Sequence, residues 1–78
     1  MEQFIIVSGE VGDWEGLYFK GKLFKESHRI TTYDIMNLLK DHYKELDGTF
    51  GKYTINQDYL ETNGLLPSNF KDINKNML

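Results

Sequence analysis

The feature that most constrains the fold is a two-residue turn signal, Lys20-Gly21, with a short apolar and aromatic run on each side, at 17–19 and 22–24. Gly21 reaches positive φ at little cost, which the primed turns of tight β-hairpins require. Lys20 is a less usual first turn residue than Asn or Asp, so the pattern leaves the turn type open. The sequence therefore predicts a tight β-hairpin. Its expected pairs are Phe19 with Lys22, Tyr18 with Leu23 and Leu17 with Phe24.

Both faces of this hairpin are apolar, because side chains alternate across a strand. One face carries Leu17, Phe19 and Phe24, and the other carries Tyr18, Leu23 and, if the strand reaches back that far, Trp14. One amphipathic helix covers only one face of a small sheet, so something else must cover the second. The alternatives are the apolar segment 59–70 and a second copy of the chain in a symmetric homodimer.

The most regular helical pattern follows the hairpin. Ile35, Leu38 and Leu39 recur at helical spacing after the threonine pair at 31–32, either of which can cap the helix. We expect this helix to run from 32 to 46 and to lie across one face of the sheet.

Shorter patterns predict the other elements. They are a strand at 3–8 that is buried on both faces, a fourth strand at 50–55, a helical turn at 57–62 after Asn56, and another at 68–73 that begins at Pro67. The predicted fold class is α+β: a small antiparallel β-meander of three to four strands, one amphipathic helix packed on one face, and a short helical C-terminal segment. We expect a single domain over 1–78, with an ordered core at 1–73 and a frayed tail at 74–78.

The composition limits the function. The chain has 78 residues, with 9 Lys and Arg against 12 Asp and Glu, and no cysteine. A net charge of −3 gives no global attraction to nucleic acid, and the lack of thiols excludes disulfides and a cysteine nucleophile. No apolar run approaches the ~18 residues of a membrane span. Since no secretory leader is visible, we expect a cytoplasmic protein.

No residue pattern predicts catalysis, a cofactor or a metal. The serines lie in no G-x-S-x-G elbow, and the glycines form no phosphate loop. His28 and His42 lack further ligands at zinc spacing, so a packed or solvated ring is the simpler interpretation. Glu10, Asp13 and Glu15 crowd one loop, but calcium-loop spacing is absent and a solvated acidic loop is favoured. We therefore expect a protein that is not an enzyme.

Two sets of residues are candidates for binding. The first is a protein interface around the hairpin, since Trp and Tyr are frequent interface anchors. Its members are Asp13, Trp14, Glu15, Tyr18 and Leu23. The alternative is a nucleic-acid surface, in which cations bind phosphates and an aromatic ring stacks on a base. Its members are Lys20, Lys22, Lys25 and Arg29, with Tyr18 as the ring.

The segments DWEGLY-x-x-GKL at 13–23 and GLLPSNFKDI at 64–73, with His28 and the helix between them, resemble a pattern in small phage and prophage proteins of bacteria. The resemblance covers the chain from about Phe4 to Ile73, and its motifs are structural. It implies no established activity, but small phage accessory proteins commonly bind a host or defence protein, so we expect a non-catalytic protein-interaction module in the cytoplasm of the host cell. A nucleic-acid-binding accessory protein is the alternative function, and no membrane partner is expected.

Overall fold

The computed structural model describes residues 2–73, and the tail expected to be frayed, 74–78, lies outside the described residues. Within that range, four strands form one sheet in the order β3-β2-β1-β4. The elements in chain order are β1 Phe4–Gly9, β2 Glu15–Phe19, β3 Lys22–Ser27, α1 Thr32–His42, a 3-10 turn Tyr43–Glu45, β4 Phe50–Ile55, α2 Gln57–Asn63 and a 3-10 turn Phe70–Asp72. The α+β fold class predicted from the sequence is confirmed.

The predicted hairpin is formed by β2 and β3. Lys20 and Gly21 have φ angles of 52° and 82°, so both central residues take the positive φ of a type I′ turn. The pairs next to the turn are as predicted, but Leu17 lies opposite Lys25 and not Phe24, because a β-bulge interrupts the register at this point. The bulge leaves Phe24 as the extra residue of β3, with 41% of its surface exposed.

The sheet is not a pure antiparallel meander. Strands β1, β2 and β3 pair antiparallel, whereas β4 pairs parallel to β1 at the opposite edge from β3. A parallel neighbour requires a crossover connection, which is usually helical. Here α1 makes that crossover, so β4 begins at the same end of the sheet as β1.

Thr31 caps α1 through a capping box with Asp34. The Thr31 hydroxyl accepts a hydrogen bond from the Asp34 backbone N–H at 3.2 Å, and the Asp34 carboxylate accepts one from the Thr31 N–H at 2.9 Å. This backbone hydrogen bond holds the pKa of the Asp34 carboxyl below its ordinary value.

The helix ends at His42, four residues before its predicted end at Leu46, and continues only as a 3-10 turn. The buried side chain of Gln3 accounts for the difference. Its Nε2 donates to the Glu45 carbonyl at 2.6 Å, and its Oε1 accepts from the Asp47 N–H at 2.9 Å. The second bond occupies the Asp47 N–H, which a helix continuing through Leu46 would pair with the Tyr43 carbonyl, and the first gives a partner to a carbonyl that such a helix would leave unpaired.

Two apolar clusters lie on opposite faces of the sheet. On the α1 face, the buried side chains are Leu17, Phe19 and Leu38, and Ile35 packs against them. On the second face, the buried residues are Ile5, Val7, Tyr18, Ile55, Leu60, Leu66 and Ile73. The chain's own segment after β4 therefore covers the second face. The exposed apolar surface for which a homodimer was considered is not present on this face.

Glycines in β1 and β2 let this covering segment approach closely. A Cβ at Gly9 would lie 2.6 Å from a Leu60 methyl, and one at Gly16 would overlap a Leu66 methyl. Backbone hydrogen bonds then attach the segment to the hairpin: the Leu23 N–H donates to the Ser68 carbonyl at 2.7 Å. The helical turn predicted from Pro67 is shorter than expected and begins at Phe70.

We predict that Leu38→Ala lowers the free energy of unfolding by about 2–5 kcal/mol, because Leu38 is the fully buried residue of α1 and its truncation leaves a cavity. Met36→Ala, on the same helix but 61% exposed, is the matched control and should change stability by less than about 0.5 kcal/mol. Urea unfolding followed by circular dichroism measures both. Equal losses for the two variants would contradict the assigned helix face.

Candidate functional site

The structure does not bring the five predicted interface residues together on one exposed surface. Tyr18 is fully buried, and its hydroxyl donates to the Pro67 carbonyl at 2.6 Å. Leu23 is half-buried and packs against the same core. The pKa of the Tyr18 hydroxyl is raised above its ordinary value, mainly because the group is buried and secondly because the Glu26 carboxylate is near. Tyr18 thus belongs to the core, and the expectation that it anchors a partner is corrected.

The remaining predicted interface residues support the fold locally. Trp14 is half-buried, its indole N–H donates to the Glu26 carboxylate at 3.2 Å, and its ring stands edge-on to His28. Glu15 accepts hydrogen bonds from the Ser8 hydroxyl at 3.0 Å and from the Ile30 N–H at 2.7 Å. Asp13 is exposed beside them. These contacts fasten the loops at one end of the sheet.

The loop that carries Glu10 and Asp13 also makes contacts that support the fold. The Glu10 carboxylate accepts a hydrogen bond of 2.6 Å from the Gln57 N–H at the start of α2. His28 places Nδ1 3.2 Å from the Asp13 carbonyl oxygen. Over residues 2–73, no three His, Asp or Glu side chains cluster closely enough to hold a metal ion.

The four cations of the predicted nucleic-acid surface do not line one common cavity. Lys20 and Lys22 line a cavity of about 250 Å³ at the hairpin turn, and Lys71 and Asn69 complete its wall. Lys25 and Arg29 lie farther along the chain and do not line that cavity. Because Tyr18 is buried, it offers no ring for a base to stack on.

Lys20 is also partly neutralised by an acid that the sequence analysis did not single out. Its ammonium lies 2.6 Å from the Glu45 carboxylate, whose other oxygen lies 2.8 Å from His42 Nδ1. Hydrogen bonds, first from Lys20 and then from His42, hold the pKa of the Glu45 carboxyl below its ordinary value. The His42 ring packs at 4.7 Å from the Phe19 ring, so it is a packed histidine in a small charged network.

An open apolar groove lies between α1 and β4. Its volume is about 140 Å³, and it is lined by Phe4, Ile6, Leu17, Ile35, Leu39 and Phe50. Phe50 is 60% exposed, a large fraction for a phenylalanine beside other apolar side chains. We call these six residues the α1–β4 groove.

The groove follows from the position of α1. The buried Leu38 places the helix over β2, where it packs on Leu17. On the same face, β4 contributes Phe50 and Lys52, because these residues pair with Phe4 and Ile6 of β1. Both β4 side chains are exposed, so α1 leaves this part of the sheet uncovered.

Two exposed apolar side chains that do not line the groove lie on α1 and in the 3-10 turn after it. Met36 and Tyr43 are 61% and 63% exposed. Met36 lies three residues before Leu39 and shares its side of α1, whereas Tyr43 begins the 3-10 turn Tyr43–Glu45. In the sequence, the apolar residues on this side of the helix cannot be distinguished from a wide core face, because the position of β4 is not known.

Beside the groove, β4 forms an edge of the sheet. Among residues 2–73, no backbone group pairs with its outer side. The β3 edge differs, because the Phe70 N–H donates to the Gly21 carbonyl at 2.7 Å and Lys22 forms an isolated bridge with Asn69. An unpaired edge beside apolar side chains is a surface to which another strand can add.

Comparison of the chain with family models, curated proteins and solved structures finds no match. The resemblance to phage and prophage proteins therefore stays a prediction, and any function has to be argued from the geometry of this chain.

Within the described range, no helix has both the length and the apolar character needed to cross a membrane.

We predict that Glu45→Gln destabilises the fold at neutral pH and that the gap to the parent closes in acid. The folded-state pKa of Glu45 is lowered, so its contribution is complete above the unfolded value of about 4.3 and is lost as the pH falls through the folded value. Urea unfolding of both proteins across this range measures the gap. In a Lys20→Gln background the gap should be smaller, and a gap that is independent of pH would contradict the network.

Proposed function

We propose that this protein is a non-catalytic protein-interaction module whose contact surface is the α1–β4 groove. The observation that carries the proposal is Phe50, which is 60% exposed at the mouth of an entirely apolar groove. Exposed aromatic side chains beside an apolar patch are typical of protein interfaces. The proposal moves the contact surface from the hairpin residues favoured by the sequence to the opposite face of the sheet.

Flanking residues fit the same role. Met36 and Tyr43 supply a flexible and an amphipathic side chain, which adapt well to a partner's surface. Lys52 on β4 and Lys40 on α1 are exposed, as the rim of an interface is. The resemblance to phage accessory proteins extends the proposal to a host or defence protein as the partner, in the cytoplasm of a bacterial cell.

Nucleic-acid binding is the second candidate function. Its support is the cavity at the hairpin turn, where Lys20, Lys22 and Lys71 converge. Against it stand the ion pair between Lys20 and Glu45 and the burial of Tyr18. Salt separates the two candidates, because phosphate contacts weaken steeply with ionic strength and an apolar interface changes little.

We predict that Phe50→Ser weakens partner binding at least about tenfold, the loss expected for an interface anchor. Tyr33→Ser is the matched control, since Tyr33 is 72% exposed but does not line the groove. Immobilised parent and variants are incubated with a bacterial lysate at low and moderate salt, and the retained protein is then purified and titrated. Both variants should fold, because both side chains are exposed.

Retention by the parent and Tyr33→Ser, but not by Phe50→Ser, at both salt concentrations is the expected result. Retention that survives Phe50→Ser would show that the groove is not the contact surface. Retention of nucleic acid that is lost with salt and with Lys22→Gln would favour the second candidate.

A further inference from the structure

We propose that the partner binds as an extended β-strand added to the outer edge of β4, with an acidic side chain opposite Lys52. This inference rests on the proposed function of the groove and names the form and charge of its occupant. Neither property follows from an apolar groove alone, which accepts a helix equally well.

The backbone of β4 presents its hydrogen-bonding groups outwards at alternate residues. The Phe4 N–H donates to the Thr49 carbonyl at 3.2 Å, and Phe4 lies opposite Phe50 in the parallel register. In a parallel ladder each residue bonds to the two residues that flank its opposite number. Residues 49, 51, 53 and 55 therefore face β1, and Phe50, Lys52 and Thr54 direct their N–H and C=O groups away from the sheet.

These outward-facing residues also carry the side chains of the groove face. Phe50 points to the same face as its neighbour Phe4, and Lys52 to the same face as Ile6. A strand added here would place one side chain beside Phe50, within reach of the groove, and another beside Lys52. Directly opposed side chains on neighbouring strands interact, so an apolar residue and an acid two positions apart are favoured.

Lys52 determines the charge of the occupant. It is exposed, and no acid among residues 2–73 lies within ion-pair distance of it. A second copy of the chain, paired antiparallel in the register centred on Lys52, would set two Lys52 ammonium groups opposite each other, which is unfavourable. Lysine on an edge strand opposes self-association in this way and still accepts a strand that carries a carboxylate.

The other face of β4 restricts where that carboxylate can lie. There the Glu2 side chain packs against Gly51, where a Cβ would approach its carboxyl carbon to 2.9 Å, and it accepts a 3.0 Å hydrogen bond from the Tyr53 hydroxyl. An acid on this side of the added strand would meet a like charge. The acidic position is therefore expected on the groove face.

The test is selection of random heptapeptides displayed on phage against the immobilised parent and against Lys52→Glu. The parent should enrich peptides with an acid two positions from an apolar residue, and Lys52→Glu should enrich a basic residue in place of the acid. Lys25→Glu, which changes an exposed lysine of β3, is the matched control and should select the parental pattern. The same charge preference in parent and Lys52→Glu would overturn the inference.

Amide hydrogen exchange with a selected synthetic peptide tests the backbone geometry. In the free protein, the amides of Phe50, Lys52 and Thr54 should exchange faster than those of Gly51, Tyr53 and Ile55. Saturating peptide should slow the first three at least about tenfold, the protection expected when an amide gains a ladder hydrogen bond. Protection of these three in the free protein would overturn the inference, because the edge would already be occupied.

The two proposals fail in different ways. Peptides that require Phe50 but leave the three outward amides exchanging freely would contradict strand addition and support the groove. A library that yields no peptide requiring Phe50 would also contradict strand addition. The proposal that the groove is the contact surface would then still be tested by the retention of a lysate protein by the parent but not by Phe50→Ser.

Discussion

Closure of the second sheet face over Tyr18 is the constraint on which the rest of the structure depends. The Tyr18 side chain is fully buried, and its hydroxyl bonds the Pro67 carbonyl, so the largest buried side chain also holds the covering segment. The Leu66 N–H bonds Glu26, and Leu66 fills the space that Gly16 leaves beside it. A buried phenol without a partner would cost free energy, so the segment and the hairpin stabilise each other.

Since the chain covers this face itself, the α1–β4 groove lies on the other face. There α1 is too narrow to cover four strands, and it packs over β2 through Leu38. The uncovered β4 leaves Phe50 exposed beside Phe4 and Ile6. A groove and an unpaired edge arise together because β4 joins the sheet at its rim after the helical crossover. This arrangement accounts for exposed apolar side chains without a second copy of the chain.

Sequence patterns between near neighbours were sufficient to predict the strands, the turn and the helix. They were not sufficient to predict how these elements pair and pack. Gly21 marked the turn, and the bounds of β4 at 50–55 were predicted in full, because both depend on neighbours in the chain. The parallel pairing of β4, the bulge at Phe24 and the end of α1 under Gln3 depend on contacts between distant segments. An aromatic run does not reveal which of its faces is covered.

The proposed contact surface was not foreseen from the sequence, because the apolar surplus that favoured the hairpin is covered by the chain's own segment after β4 and Tyr18 is buried. The account is tested most directly by solvent paramagnetic relaxation of the free protein with a soluble gadolinium chelate. Phe50, which is 60% exposed, should relax strongly, and the ring of Tyr18, at 0%, should be almost unaffected. Strong relaxation of Tyr18, or protection of Phe50, would contradict the claim that this chain closes one sheet face and leaves β4 uncovered on the other.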